Sequence, residues 1–413
     1  MRVKALVLVA VTLMLVASAW AGSDTVLYSF CSSTSCVDGE QPQGSLVADA
    51  SGNHLYGTTT YGGTNALGEV FELTNSGGTW TETVIYSFLG SANSDGAYPI
   101  GGVVFDAAGK NLYGTTSQGG ASNQGTVFEL SESGGTWKET VLHEFSDVGG
   151  DDGYYPYAAL VFDAGGNLYG TTVYGGKFGV GTVFQLKPSG SKWTYHLIRV
   201  FPGGAGGDYP YGGLVVDKTN GYLYGTAYQG GLIWNVGVVY QMREISGVWI
   251  SNIIYTILGD TLGANPESSL ATDTAGNLYG TTYYGGSYNL GSVFKLTPGK
   301  NNTWTQTIIH SFKGYVNKDG SAPYFAGVTV DGQGNLYGTT YQGGSSAANN
   351  LNYGTIYKLA AGSYKESLLW SFDGAANDGY YPRTEAILVG GKLYGTTLSG
   401  GAHGQGTVYE IAP

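Results

Sequence analysis

One five-residue string recurs seven times. Leu-Tyr-Gly-Thr-(Thr/Ala) begins at Leu55, Leu112, Leu168, Leu223, Leu278, Leu336 and Leu393, at a mean spacing of about 56 residues. A period of that size marks an array of supersecondary units, none of which can bury its apolar face alone. The repeats fill the chain from about residue 22 to its end, so no second domain is expected.

Each unit carries four strand signals separated by turn signals. The first is a short apolar run, as in GVVFDA (102–107), ALVFDA (159–164) and GLVVDK (213–218). The LYGTT string is the second. GTVFEL (125–130) and its equivalents follow a Gly-Gly pair as the third. The fourth reads VIYSF (84–88), VLHEF (141–145), IIHSF (308–312) or LLWSF (368–372). With 71 glycines and 34 tyrosines in 413 residues and few strong helix formers, strands and tight turns are favoured over helices. Four antiparallel strands repeated seven times predict an all-β, seven-bladed β-propeller. Each blade packs between two others, so its strands are apolar on both faces. Expected blades are 45–88, 102–145, 159–201, 213–258, 269–312, 327–372 and 386–411. The last lacks a fourth strand, while TVLYSF (25–30) is a fourth strand with no unit before it. Pairing the two closes the ring and leaves no bare sheet edge.

The repeat LYGTT-x-x-GG-x(4–10)-G-(T/S/V)-(V/I)-(F/Y)-x-L, preceded by D-x-x-GN, resembles the GloVer tandem repeat of exported bacterial "choice-of-anchor" surface proteins. The resemblance spans all seven units. It implies export and a propeller-like array, with no established catalytic residues. The D-x-x-GNLY stretch also resembles NHL-type propeller repeats. The chain stops at Pro413 without a sorting tail, so release is expected rather than anchoring.

The amino terminus reads as an export signal. Arg2 and Lys4 precede an apolar run over 5–19, and Ala19-Trp20-Ala21 supplies an A-x-A cleavage site. The run is short for a membrane span. A secreted, extracellular or periplasmic protein of residues 22–413 is expected, with no membrane span after cleavage. In an oxidising compartment the only cysteines, Cys31 and Cys36, are expected to form one disulfide. The formal charge of −12 argues against a nucleic-acid partner, because phosphates need Lys and Arg to displace their counterions. A monomer is expected.

Positions shared by all units read as structure. The Gly-Gly pairs, from Gly62-Gly63 to Gly400-Gly401, suit turns. Asp49, Asp106, Asp163, Asp217, Asp273 and Asp331 suit Asx turns. Trp80, Trp137, Trp193, Trp249 and Trp304 suit packing anchors. The five histidines are scattered without metal spacing, and His143 and His310 occupy equivalent strand positions that favour packing. Asn-x-Asp-Gly at 93–96 and 317–320 lacks the later Glu of a calcium loop. No cofactor and no metal are expected, with Ca²⁺ kept as a remote alternative.

The fourth-to-first and second-to-third connections must emerge on one face. The former carry Asp-Gly and Pro, as in DGAYP (95–99), DGYYP (152–156) and DGYYP (378–382); the latter are rich in Tyr. A funnel of Asp and Tyr around a central channel is expected, with Tyr61, Tyr98, Tyr154, Tyr174, Tyr228, Tyr284, Tyr341 and Tyr380 as ligand-binding candidates. Residues that one unit alone possesses are better functional candidates than shared ones: Trp234 in GGLIWNVG, Arg383 and Glu385 after DGYYP, Glu267 in NPESSL, and the long loop 344–352. No G-x-S-x-G, H-E-x-x-H, P-loop or G-x-G-x-x-G motif occurs. The expected role is a non-catalytic binding or scaffold propeller recognising a glycan or an extracellular protein. The alternative is a carbohydrate-active hydrolase or lyase using a carboxylate pair drawn from Glu385, Asp378 and Glu267.

Overall fold

The computed structural model describes residues 24–146, 149–150, 152–190, 192–344, 352–375 and 377–413. The expected leader 1–21 and most of the loop 344–352 lie outside them. Seven four-stranded antiparallel sheets form a propeller ring. The first blade runs from the axis outwards through Val47–Ala48, His54–Thr59, Glu69–Ser76 and Thr79–Ser87. In the last blade Ile387–Val389, Lys392–Thr397 and Thr407–Ile411 are completed by Asp24–Ser29. That outer strand pairs from Asp24↔Ile411 to Ser29↔Thr407, so chain start and chain end share one sheet.

Every residue of the repeated string has a place in this ring. The Leu and Tyr are buried between blades. A Cβ on Gly57 would stand 2.5 Å from Phe71 Cζ of the neighbouring strand, so this glycine supplies room for the aromatic residue. The first Thr crosses the seam. Thr58 Oγ1 donates to the Gly101 carbonyl of the next blade at 3.0 Å, and equivalent bonds run all the way round to Thr396, which reaches Gly44 at 3.4 Å. The second Thr donates to the carbonyl two residues on, as Thr116 does to Gln118 at 2.8 Å.

The innermost strands are shorter than expected: of 102–107 only Val104–Phe105 pairs. The residues before it run along the axis, where their carbonyls accept the seam-crossing threonines. Each outer strand carries a bulge, as between Val70 and Phe71 in the pairing of the first blade, which sharpens its local twist. The tryptophans pack across seams, with Trp80 on Tyr394 and Trp137 on Tyr56 at ring-centroid distances of 6.0 and 6.2 Å. Asp163 closes an Asx turn by accepting the Gly165 and Asn167 amides, each at 2.8 Å. Both glycines of every Gly-Gly pair have positive φ, such as 77° and 74° at Gly62 and Gly63, where any Cβ is strained. Cys31 and Cys36 are joined in a disulfide.

Candidate functional site

The loops that enter each first strand pair with the second-to-third loop of the same blade, as in Gly96–Ala97 with Gln118–Gly119 and Gly379–Tyr380 with Ser399–Gly400. Both loop sets therefore share one face. The residue before each loop proline, namely Gln41, Tyr98, Tyr155, Tyr209, Asn265, Ala322 and Tyr381, has φ between 49° and 61°. Seven non-glycine residues in that region mean stored backbone strain. Hydrogen bonds on both sides hold it: the Tyr98 amide donates to Leu67 O of the blade before at 2.7 Å, and the Ser117 amide of the blade after donates to Tyr98 O at 3.1 Å.

This stapling fixes where the residue after each proline points, or in the sixth blade the second residue after it, Phe325. Gln43, Ile100, Tyr157, Tyr211, Glu267, Phe325 and Arg383 line the axial opening together, and Tyr61, Tyr98, Tyr228, Tyr283 and Tyr324 widen it into a 780 Å³ cavity. The aromatic rings form a connected wall. Tyr157 meets Tyr211 edge-on at 5.9 Å, Tyr211 meets Phe325 at 5.6 Å, and Tyr283 meets Tyr324 at 5.4 Å. The Arg383 guanidinium lies 4.5 Å over Tyr324 and 5.1 Å over Phe325, and it donates to Gln43 Oε1 across the closing seam.

Polar atoms at the axis are incompletely paired. Glu267 Oε2, Arg383 Nε and Thr384 Oγ1 are buried without a hydrogen-bond partner. Burial pushes the Glu267 carboxyl up to about 8, against the opposing pull of Arg383 and of a backbone bond from Phe325. Below the cavity the channel narrows to a space lined by Ser45, Glu267, Thr384 and Glu385, among others. Glu385 accepts there from Ser45 Oγ at 3.2 Å.

The axial cavity therefore takes in Tyr61, Tyr98, Tyr228, Glu267 and Arg383 of the expected site residues. The others lie elsewhere. Tyr154 stacks on Tyr174 at 5.6 Å, Tyr341 on Tyr381 at 4.5 Å, and Tyr380 leans on Tyr353 at 4.9 Å, all between loops. Tyr284 is exposed beside Tyr283. Trp234 is 68% exposed and borders a separate hollow against Leu258–Leu262 on the rim.

The expectation of a rim of aspartates needs correction. Asp38, Asp95, Asp152, Asp208, Asp319 and Asp378 are all buried; all but Asp208, which stands two positions later in its loop, turn the carboxylate outwards to the strand just left. Asp95 accepts from Tyr86 Oη at 2.8 Å and from the Leu89 amide at 2.7 Å. Asp378 is likewise held by the Asp373 and Gly379 amides and Trp370 Nε1, which removes it from the channel. Tyr283, one of the loop tyrosines expected to ring the funnel, also lines the cavity. Sequence reasoning missed Gln43, Ile100, Tyr157, Tyr211, Tyr324 and Phe325. All six would have emerged from aligning the one or two residues after each loop proline and asking where the units differ.

A family model described as the Gloeobacter/Verrucomicrobia repeat matches residues 15–151, 81–294 and 265–413. No sequence relative is found among curated proteins. Several solved structures share the fold at low identity. A candidate 6-phosphogluconolactonase from Bacteroides uniformis has a TM-score of 0.52 and 12% identity, covering 88% of this chain and 98% of that one. A periplasmic gluconolactonase from Pseudomonas aeruginosa has a TM-score of 0.51 and 12% identity, covering 79% and 84%. A puromycin-hydrolyzing peptidase from Mycobacterium tuberculosis has a TM-score of 0.50 and 12% identity, covering 89% and 52%. Likeness at this level is of fold alone. Among the described residues no helix is long and apolar enough to cross a membrane.

Proposed function

The chain belongs to the Gloeobacter/Verrucomicrobia repeat family, and on that footing we propose that it is an exported, non-catalytic propeller that binds a carbohydrate in the axial cavity. The observation that carries this reading is the convergence of a continuous aromatic wall and unpaired polar groups on one 780 Å³ space. That volume lies within the range of small-ligand sites. Tyrosine and phenylalanine faces suit the C–H faces of a sugar ring, and tyrosine adds a polar tip. Arg383, Gln43 and Glu267 suit hydroxyl groups. A concave site of this width favours a short glycan over a protein surface. Export rests on the basic and apolar start, the A-x-A site and the Cys31–Cys36 disulfide.

A glycan array followed by calorimetry on the best hit tests this. Tyr324→Ala and Arg383→Ala are each expected to weaken binding at least tenfold with the melting transition still cooperative. Trp234→Ala, outside the cavity, is expected to leave affinity unchanged. Failure of every arrayed glycan to bind, or equal binding by all three variants, overturns the reading.

One observation favours a second reading. Burial raises the Glu267 carboxyl to about 8, and Glu385 lines the same channel, so two carboxyl groups stand where glycoside cleavage would need them. Glu267→Gln separates the two. As a binding group, protonated Glu267 donates a hydrogen bond that Gln also supplies. Wild-type affinity should then fall as pH rises through about 8, while the variant's stays level. As a catalytic acid, the same variant abolishes turnover of a glycan that the wild type cleaves.

A further inference from the structure

Around the outer rim, the seams at Asp38, Asp95, Asp152 and Asp319 each bring together three side chains: one from an outer strand, the aspartate of the loop that follows, and one from the next outer strand. In three seams the first side chain and the aspartate lie within hydrogen-bond distance, although Glu82 Oε1 and Glu139 Oε1, the third members of two of them, have no hydrogen-bond partner. Tyr28 reaches Asp38 at 2.7 Å and Tyr86 reaches Asp95 at 2.8 Å. His143 Nε2 lies 2.9 Å from Asp152, which also accepts from Tyr195 at 2.6 Å.

The seam between the fifth and sixth blades is different. Here the trio is His310, Asp319 and Glu366, and their donor atoms lie within 4.8 Å of one another. His310 Nε2 is 3.5 Å from Asp319 Oδ2 and 3.6 Å from Glu366 Oε1. Those spacings are too long for hydrogen bonds. They match the separation of about 3.3 Å between two ligands held at about 2.05 Å from one tetrahedral ion. The His310 side chain is 10% exposed, and neither its Nε2 nor Glu366 Oε1 has a hydrogen-bond partner. The imidazole is aimed by its neighbours, edge-on to Phe312 at 4.8 Å and over Tyr357 at 6.4 Å. Asp319 is fixed by the Lys313 amide at 2.8 Å and the Gly320 amide at 2.6 Å.

We propose that His310, Asp319 and Glu366 bind one divalent transition-metal ion, zinc by preference, which pins the outer strands of the fifth and sixth blades together. One imidazole and two carboxylates neutralise a 2+ ion and suit zinc before manganese. Three protein ligands leave a position for water, reached past Glu366, whose side chain is 21% exposed. Sequence spacing hides this site, because Glu366 stands one whole repeat beyond His310 and reaches it only through blade stacking.

Zinc titration of untagged, chelator-treated protein by calorimetry tests the assignment, with thermal unfolding alongside. One equivalent should bind. Zinc at 100-fold its Kd should raise the melting temperature by roughly 3 °C. Glu366→Gln, which keeps size and removes charge, and His310→Gln should each weaken binding at least tenfold. His143→Gln, in the hydrogen-bonded seam, should not. Absence of saturable binding overturns the proposal, as does full-affinity binding by a Glu366→Gln protein that melts cooperatively.

Discussion

Glu69→Thr is expected to stabilise the protein by about 2–3 kcal/mol at pH 7 and to have little effect at pH 4. The corresponding third-strand position holds Thr126, Thr182, Ser292, Thr355 and Thr407 in five other blades. There the hydroxyl pairs with the second threonine of the repeated string, as Thr116 does with Thr126 at 2.8 Å. In the first blade a glutamate takes this place. It is fully buried, and neither carboxylate oxygen has a hydrogen-bond partner. Burial pushes its carboxyl up to about 10, and the charges of Glu82 and Asp38 add to the shift.

The sign follows from which state holds the proton. Below about pH 4.5 the group is protonated folded and unfolded alike, and it adds no pH dependence. Between 4.5 and 10 the folded chain retains a proton that the unfolded chain releases, so stability falls as pH rises. At pH 7 that is about 2.5 pH units at about 1.4 kcal/mol each, roughly 3 kcal/mol. Threonine removes this cost and restores the bond to Thr59, while the lost volume gives a little back. Glu82, raised to about 7, and Glu139, raised to about 8, act in the same direction. The wild type should therefore melt higher at pH 5 than at pH 8, and the variant should flatten that slope. Melting curves across this range decide the matter. Destabilisation by the substitution at pH 7 would mean that the carboxylate has a partner worth more than its burial costs.

Glu69 shows what was legible in the sequence. The repeated string could be read because all seven blades solve one packing problem: glycine under an aromatic residue, threonine across the seam, Gly-Gly in positive-φ turns. Such positions announce themselves by recurrence. The axial site is made of positions that do not recur. Gln43, Ile100, Tyr157, Tyr211, Glu267, Phe325 and Arg383 share only the proline before them and a place on the axis, and they become neighbours when the ring closes. Glu267 and Arg383 were visible as departures from the pattern, whereas Tyr157 and Tyr211 were lost among the many tyrosines. The loop aspartates misled for a local reason. Their recurrence with Gly and Pro on the right face suggested a rim, yet a carboxylate between two outer strands finds amide and hydroxyl donors that water would otherwise supply.

Removing residues 24–30 is expected to abolish cooperative folding rather than to trim one blade. Phe30 is fully buried, meets Phe71 of the first blade edge-on at 5.0 Å, and packs in one cluster with Leu46, Leu55, Leu73, Tyr394 and Val408. Phe30→Ala alone should cost about 3–5 kcal/mol. The deletion also strips Leu27 and Tyr28 from that seam and bares the edge of Thr407–Ile411, which invites intermolecular pairing. Against a total stability of roughly 5–15 kcal/mol for a typical domain, the sum leaves no single native state. An open array would respond otherwise: each repeat there leans only on its neighbours, so loss of a terminal strand stays local. Scanning calorimetry of the truncated chain distinguishes the two, since a sharp transition within a few degrees of wild type would show that the first and last blades do not depend on each other. A synthetic peptide of residues 24–30 added in trans should restore the sharp transition in part, because the ring requires the strand's side chains and ladder bonds but not its covalent link to Cys31.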